Sequence, residues 1–164
     1  MKKVLVAIVL CLIFVVLGYF ITLKIDEMRK GGDVVLKVTF EDTKEYEIPS
    51  IKVMEKEEAL KEWPYIMHLN NEGSGKGLYK IHLKEKEESI DKSNLSYALL
   101  LDDKEISSGK LSDIKEDVLY QGEIEGHTKQ DYKLYIWVIK EVEEESKFTY
   151  QLEFETIKSG GPGF

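Results

Sequence analysis

Phe148-Thr149-Tyr150-Gln151-Leu152-Glu153-Phe154-Glu155 is the stretch that decides the fold. Apolar and polar side chains alternate through it without a break. Phe148, Tyr150, Leu152 and Phe154 share one face, and Thr149, Gln151, Glu153 and Glu155 share the other. A period of two belongs to a strand with one buried face, because a helix would scatter the same residues around its circumference.

Working back along the chain, the period recurs. Tyr132, Leu134, Ile136 and Val138 alternate after a turn over residues 126–131. Leu95, Tyr97, Leu99 and Leu101 form another inward set, as do Tyr79, Ile81 and Leu83, and Tyr65, Met67 and Leu69. Val34, Leu36, Val38 and Phe40 line one face of a first strand, with Val35 the exception. Shorter strands are expected at residues 45–48, 105–109 and 118–124, and Pro49 keeps the first of these from the centre of a sheet. Asn70-Asn71, Asp102-Asp103 and the glycines Gly73, Gly75 and Gly77 read as turns, and residues 85–93 as a solvated loop.

One segment changes period. Residues 54–63 are rich in helix formers, Glu57 and Lys61 make a favourable pair four apart, and Pro64 ends the run. Two turns of helix resting on Leu60 and Trp63 are expected there. Eight or nine short strands with one small helix predict a mainly β fold, an antiparallel β-sandwich of jelly-roll or immunoglobulin-like type. Tyr132 opens its strand shortly after the Gly126 turn. It reads either as a tyrosine corner, with its hydroxyl bonded to backbone upstream, or as an ordinary buried tyrosine. Trp137 points away from Tyr132 and reads as a second-layer core residue, with an exposed aromatic contact as the alternative.

Ahead of this domain, residues 4–23 carry no charged side chain. As a helix, twenty residues at about 1.5 Å each span roughly 30 Å, the thickness of a bilayer's hydrocarbon core. The run reads as a transmembrane anchor, with a cleaved secretory signal as the competing reading. Gly18, Tyr19, Phe20 and Ile21 offer no small-residue cleavage pair, and the apolar stretch exceeds a signal's usual length. Cys11 lies within the run and reads as a small apolar residue. Lys2 and Lys3 place the N-terminus inside and the domain outside. The expected organisation is a cytoplasmic stub at residues 1–3, the anchor or signal at 4–23, a stalk at 24–32, an extracellular β-sandwich at 33–158 and a flexible tail at 159–164.

Apart from Lys2 and Lys3, 21 basic residues face 31 acidic ones, a formal charge of −10. That field repels polyanions, so nucleic-acid binding is not expected. The outer domain contains no cysteine, hence neither a disulfide framework nor a thiolate metal site.

Three segments taken together resemble a known group. The first is Ile48-Pro49-Ser50, then Glu57-Glu58-Ala59-Leu60-Lys61, then Pro64-Tyr65-Ile66-Met67-His68-Leu69-Asn70-Asn71. The second is Leu95-Ser96-Tyr97-Ala98-Leu99 with Ser108-Gly109-Lys110-Leu111. The third is the stretch over residues 119–126 followed by Tyr132-Lys133-Leu134-Tyr135-Ile136-Trp137. In order and spacing they resemble the TasA/camelysin group of small surface proteins of Gram-positive-type bacteria, over most of residues 33–157. The resemblance implies an extracellular jelly-roll or immunoglobulin-like sandwich, a structural or adhesive role in a biofilm matrix, and self-association by donating an N-terminal strand. Residues 33–40 are then the candidate donor. The chain departs from the group in lacking a good cleavage site after residues 4–23. Camelysin's name carries a metallopeptidase activity, which makes a surface-anchored metallopeptidase the alternative function. An accessory ectodomain for a membrane partner is a further one.

The chemistry needed for an enzyme is not spelled out. His-Glu-x-x-His is absent, and His68, His82 and His127 are scattered. His68 and His82 are expected on the outward faces of neighbouring strands, as solvated histidines. Asp102-Asp103 and the acidic run at residues 143–145 lack the spacing of a calcium loop. Gly73-Ser74-Gly75-Lys76-Gly77 lacks the Ser or Thr after lysine, and the following helix, that a phosphate loop requires. Asn94-Leu95-Ser96 is a formal glycosylation triplet. No catalytic, cofactor-binding or metal-binding residue is assigned.

Overall fold

The computed structural model describes residues 32–41, 45–48, 50–88, 90–143 and 148–157. The stub, the anchor of residues 4–23, the stalk before Gly32, Pro49, the acidic run beyond Glu143 and the tail at 159–164 lie outside them. Among the described residues no helix is long and apolar enough to cross a membrane. In chain order the elements are β1 (Leu36–Phe40), β2 (Glu45–Glu47), α1 (Lys56–Ala59), β3 (Tyr65–Asn71), β4 (Gly77–Glu88), β5 (Leu95–Leu101), β6 (Lys104–Lys110), β7 (Val118–Ile124), β8 (Lys129–Val138) and β9 (Phe148–Ile157).

The alternating stretches become strands because only pairing satisfies their backbone while one face is buried. They form two antiparallel sheets, one ordered β1-β3-β8-β5-β6 and the other β2-β9-β4-β7. A single core draws on both. Met67, Leu69, Tyr132 and Leu134 come from the first sheet, and Tyr79, Ile81, Tyr150 and Leu152 from the second. The architecture is mainly β and sandwich-like, with one short α-helix. Asp102 and Asp103 join β5 to β6 with φ of 48° and 64°. Positive φ at both positions of a two-residue loop makes the type I′ turn that suits strand twist.

A second, smaller cluster lies on the other face of the five-stranded sheet. Met54, Ala59, Ala98 and Trp137 are buried together there, beneath α1. Trp137 is 5% exposed, so it is a second-layer core residue as expected. The α1 region docks through Met54 N, which donates to Val138 O at 3.0 Å, and through Lys56, whose ammonium meets Glu105 at 2.8 Å.

Several local expectations are corrected. The helix is four residues long rather than two full turns. Val53 bridges to Val138 on one side and Tyr65 begins β3 on the other, leaving little chain free to coil. Trp63 does not prop the helix; it is 84% exposed, and Ala59 fills the contact instead. Residues 85–88 are strand rather than solvated loop. β9 extends alongside them, pairing Glu85 with Tyr150 and Glu88 with Phe148 across a bulge between Glu85 and Glu87. β8 starts at Lys129, earlier than expected, because Lys129 and Gln130 pair with Asn70 and Leu69.

Candidate functional site

The sheets end in four edges: β1 and β6 on the first sheet, β2 and β7 on the second. β1, the candidate donor strand, is an edge of its own chain. It pairs antiparallel with β3 over five positions, from Leu36 opposite Asn71 to Phe40 opposite Met67. Leu36, Val38 and Phe40 are half-buried against the core. Phe40 stacks on Tyr65 with ring centres 5.6 Å apart.

The N-terminal end of β1 is held by Asn71, which is fully buried. Its side-chain oxygen accepts from Val35 N at 3.2 Å and from Gly73 N at 3.1 Å. Its amide nitrogen donates to Gly75 O at 2.7 Å and to Glu125 O at 3.2 Å. All four hydrogen-bonding positions of the amide are used, and three chain segments meet on one side chain. The loop after Asn71 has no room for side chains where the N-terminal segment crosses it. A Cβ on Gly73 would fall on the Asp33 carbonyl oxygen, and one on Gly75 on the Gly32 carbonyl oxygen. These glycines are therefore a packing cradle for incoming backbone rather than a flexible turn. The loop also runs directly into β4, the context in which a phosphate loop is not formed.

The other end of β1 is held by a histidine. His68 lies opposite Thr39 of β1 and opposite Asp131 of β8. Its Nδ1 is 2.6 Å from Asp131 Oδ1, and its Nε2 is 3.3 Å from Glu41 Oε1, just past β1. Lys129 lies 2.9 Å from the same Asp131 oxygen. Lys129 foremost, with His68 adding to it, holds the Asp131 carboxyl below the usual carboxylate range. Ile66, His68, Glu41, Asp102, Asp131 and Lys133 border an open groove of about 460 Å³ on this face.

His82 is on β4, in the other sheet, so the two histidines are not on neighbouring strands. It faces Glu155 at 3.0 Å instead. His127 sits in the β7–β8 turn with φ of 56°. Asp102 and Asp103 are turn residues; Asp103 pairs with Lys133, and Asp102 accepts from Asp131 N at 3.3 Å. Among the described residues no three His, Cys, Asp or Glu side chains gather into a group able to hold a metal ion.

Tyr132 is no tyrosine corner. Its hydroxyl bonds across the core to that of Tyr79, and both reach Gln130 Oε1, at 3.0 Å and 2.8 Å. Gln130 Nε2 in turn donates to Glu123 O at 3.0 Å. Burial pushes the Tyr79 phenol up to about 12 and raises that of Tyr132 further. Tyr150 is raised as well, chiefly by burial, and its hydroxyl has no partner among the described residues.

Comparison of the chain with protein-family models, with curated proteins and with solved structures gives no match.

Proposed function

We propose that the chain is a membrane-tethered extracellular structural or adhesive protein of the TasA/camelysin type, a matrix-fibre subunit or the base of one. In this reading residues 4–23 anchor it, the domain is a jelly roll, and β1 is the strand exchanged between copies. The observation that carries the reading is that β1 is surplus to a complete pattern. Without it the sheets are β3-β8-β5-β6 and β2-β9-β4-β7. Every link between consecutive strands from β2 to β9 crosses from one sheet to the other, except the β5–β6 hairpin. That alternation supports the jelly-roll reading, whose eight strands wind in this way, over the in-sheet hairpins of an immunoglobulin domain. β1 is a ninth strand laid on the edge of β3.

A strand outside the closed pattern can leave while the rest stays folded, and the β3 edge it uncovers is a template for the same strand from another copy. The net negative charge of the domain disfavours close approach of copies unless specific pairing offsets it. The test uses the full-length protein in detergent micelles and a synthetic peptide of residues 32–41. Concentration-dependent association is expected, and the peptide should block it by occupying β3. A protein that stays monomeric at every concentration and takes up no peptide would refute the reading. The mass of the native N-terminus decides between roles: a retained Met1 makes it a fixed base, and a new terminus between about residues 20 and 33 makes it a released subunit.

A further inference from the structure

We propose that His68 is a pH-operated lock on the C-terminal end of β1, closed when the imidazole is protonated. The two ring nitrogens face two carboxylates, Asp131 at 2.6 Å and Glu41 at 3.3 Å. Ionised carboxylates only accept. A neutral imidazole has one N–H to offer and turns a lone pair toward the second carboxylate, whereas an imidazolium donates to both. Only the doubly protonated ring satisfies both contacts.

The surrounding charges supply no substitute for the ring's second donor. From the β8 side the ring meets Asp131 with Lys129 on it, and Lys133, which is already paired with Asp103. From the β5–β6 turn come Asp102 and Asp103, and from β1 Glu41 and Lys37, the latter paired with Glu72 at 3.5 Å. Leaving aside the Lys37–Glu72 pair, the carboxylates of Asp131, Asp102, Asp103 and Glu41 stand around Lys129 and Lys133 on this face. Asp131 keeps Lys129 whatever His68 does. Among the described residues His68 is the one ion-pair partner within reach of Glu41; Lys133 acts on Glu41 only through its field, being held by Asp103, and Glu41 N donates to Ile66 O at 3.2 Å. Loss of the imidazole proton thus frees the Glu41 side chain just past β1. Asn71 at the opposite end carries no titrating group and holds at any pH. The result is a strand fixed at both ends when the ring is protonated and at one end when it is neutral.

As a control on strand exchange, the lock rests on the proposed function; as a property of the single chain it does not. Amide hydrogen exchange on the full-length protein in micelles separates the two. Rates corrected for intrinsic chemistry would be compared at about pH 5.5 and about pH 8. Opening of the protected β1 amides is expected to be ~5-fold more frequent at the higher pH. The ratio should fall to less than about twofold in both Glu41→Gln and His68→Gln. Glu41 is largely exposed, so its substitution leaves the fold intact. Amides of β5, a strand that carries no histidine and no charged side chain, should show no such change. The same pH response in all three proteins, or a change in β5 as large as in β1, would overturn the lock. Association measured in parallel tests strand exchange separately: a lock that works in a chain that never associates refutes the exchange and leaves the lock standing.

Discussion

Asn71→Ala tests how much of the domain hangs on one side chain. The substitution removes hydrogen bonds to Val35 N, Gly73 N, Gly75 O and Glu125 O, all within 2.7–3.2 Å. At a net ~1 kcal/mol per bond the direct loss is about 4 kcal/mol. The partners left behind are partly reached by water once the loop relaxes, so the expected cost is about 3–5 kcal/mol, a large share of the ~5–15 kcal/mol typical of a domain. For a domain of this size that corresponds to a fall in Tm of roughly 10–20 °C. Urea unfolding followed by tryptophan fluorescence is a suitable assay. Trp137 is buried and Trp63 is exposed already, so the signal change on unfolding comes from Trp137. Asn71→Asp sharpens the test. It keeps the shape but places an acceptor oxygen against the Gly75 and Glu125 carbonyls. Burial would raise the introduced carboxyl's pKa, so the stability it retains is present in acid and lost as pH rises. A cost below about 1 kcal/mol for Asn71→Ala, or an Asn71→Asp protein as stable as wild type at pH 7, would refute the reasoning.

Two more outcomes follow from burial. The phenols of Tyr79, Tyr132 and Tyr150 hold their protons more tightly in the fold than in the unfolded chain. Their contribution is therefore complete below about pH 10 and is lost as pH climbs toward the folded values, at ~1.4 kcal/mol per pH unit for each phenol. The urea midpoint should drop steeply from pH 10 upward, and a midpoint flat through pH 11 would contradict the burial of these hydroxyls. Trp137→Ala should cost about 3–5 kcal/mol and Trp63→Ala less than about 0.5 kcal/mol, read by far-ultraviolet circular dichroism in urea. Equal losses would mean that α1 covers the wrong tryptophan.

Strands with one wet and one dry face were legible because alternation is a local signal. β9 begins at Phe148, where the alternation begins, and β7 has the bounds expected of it. What the sequence hid depends on partners distant in the chain. The second half of β4, Lys84-Glu85-Lys86-Glu87-Glu88, has the composition of a loop and is a strand because β9 runs beside it. Tyr132 found its hydroxyl partner across the core, and His68 and His82 were parted by a sheet assignment that periodicity does not contain. Asn71 is the clearest case. Beside Asn70 and before Gly73 it reads as turn chemistry, and its role exists only once residues 33–35, 73–75 and 125 converge on it. The edge position of β1 was likewise beyond reach, although its suitability as a strand was plain.

The placement of β1 also has a mechanical side. A load entering through Gly32 and directed along the strand strains all five pairs with β3 at once, because the ladder bonds lie across the line of force. A load directed away from the sheet meets the Asn71 contacts first and then the pairs singly, in order toward Phe40. The same short strand is thus a stiff joint in shear and a weak one in peeling, and the direction of pull decides which it is.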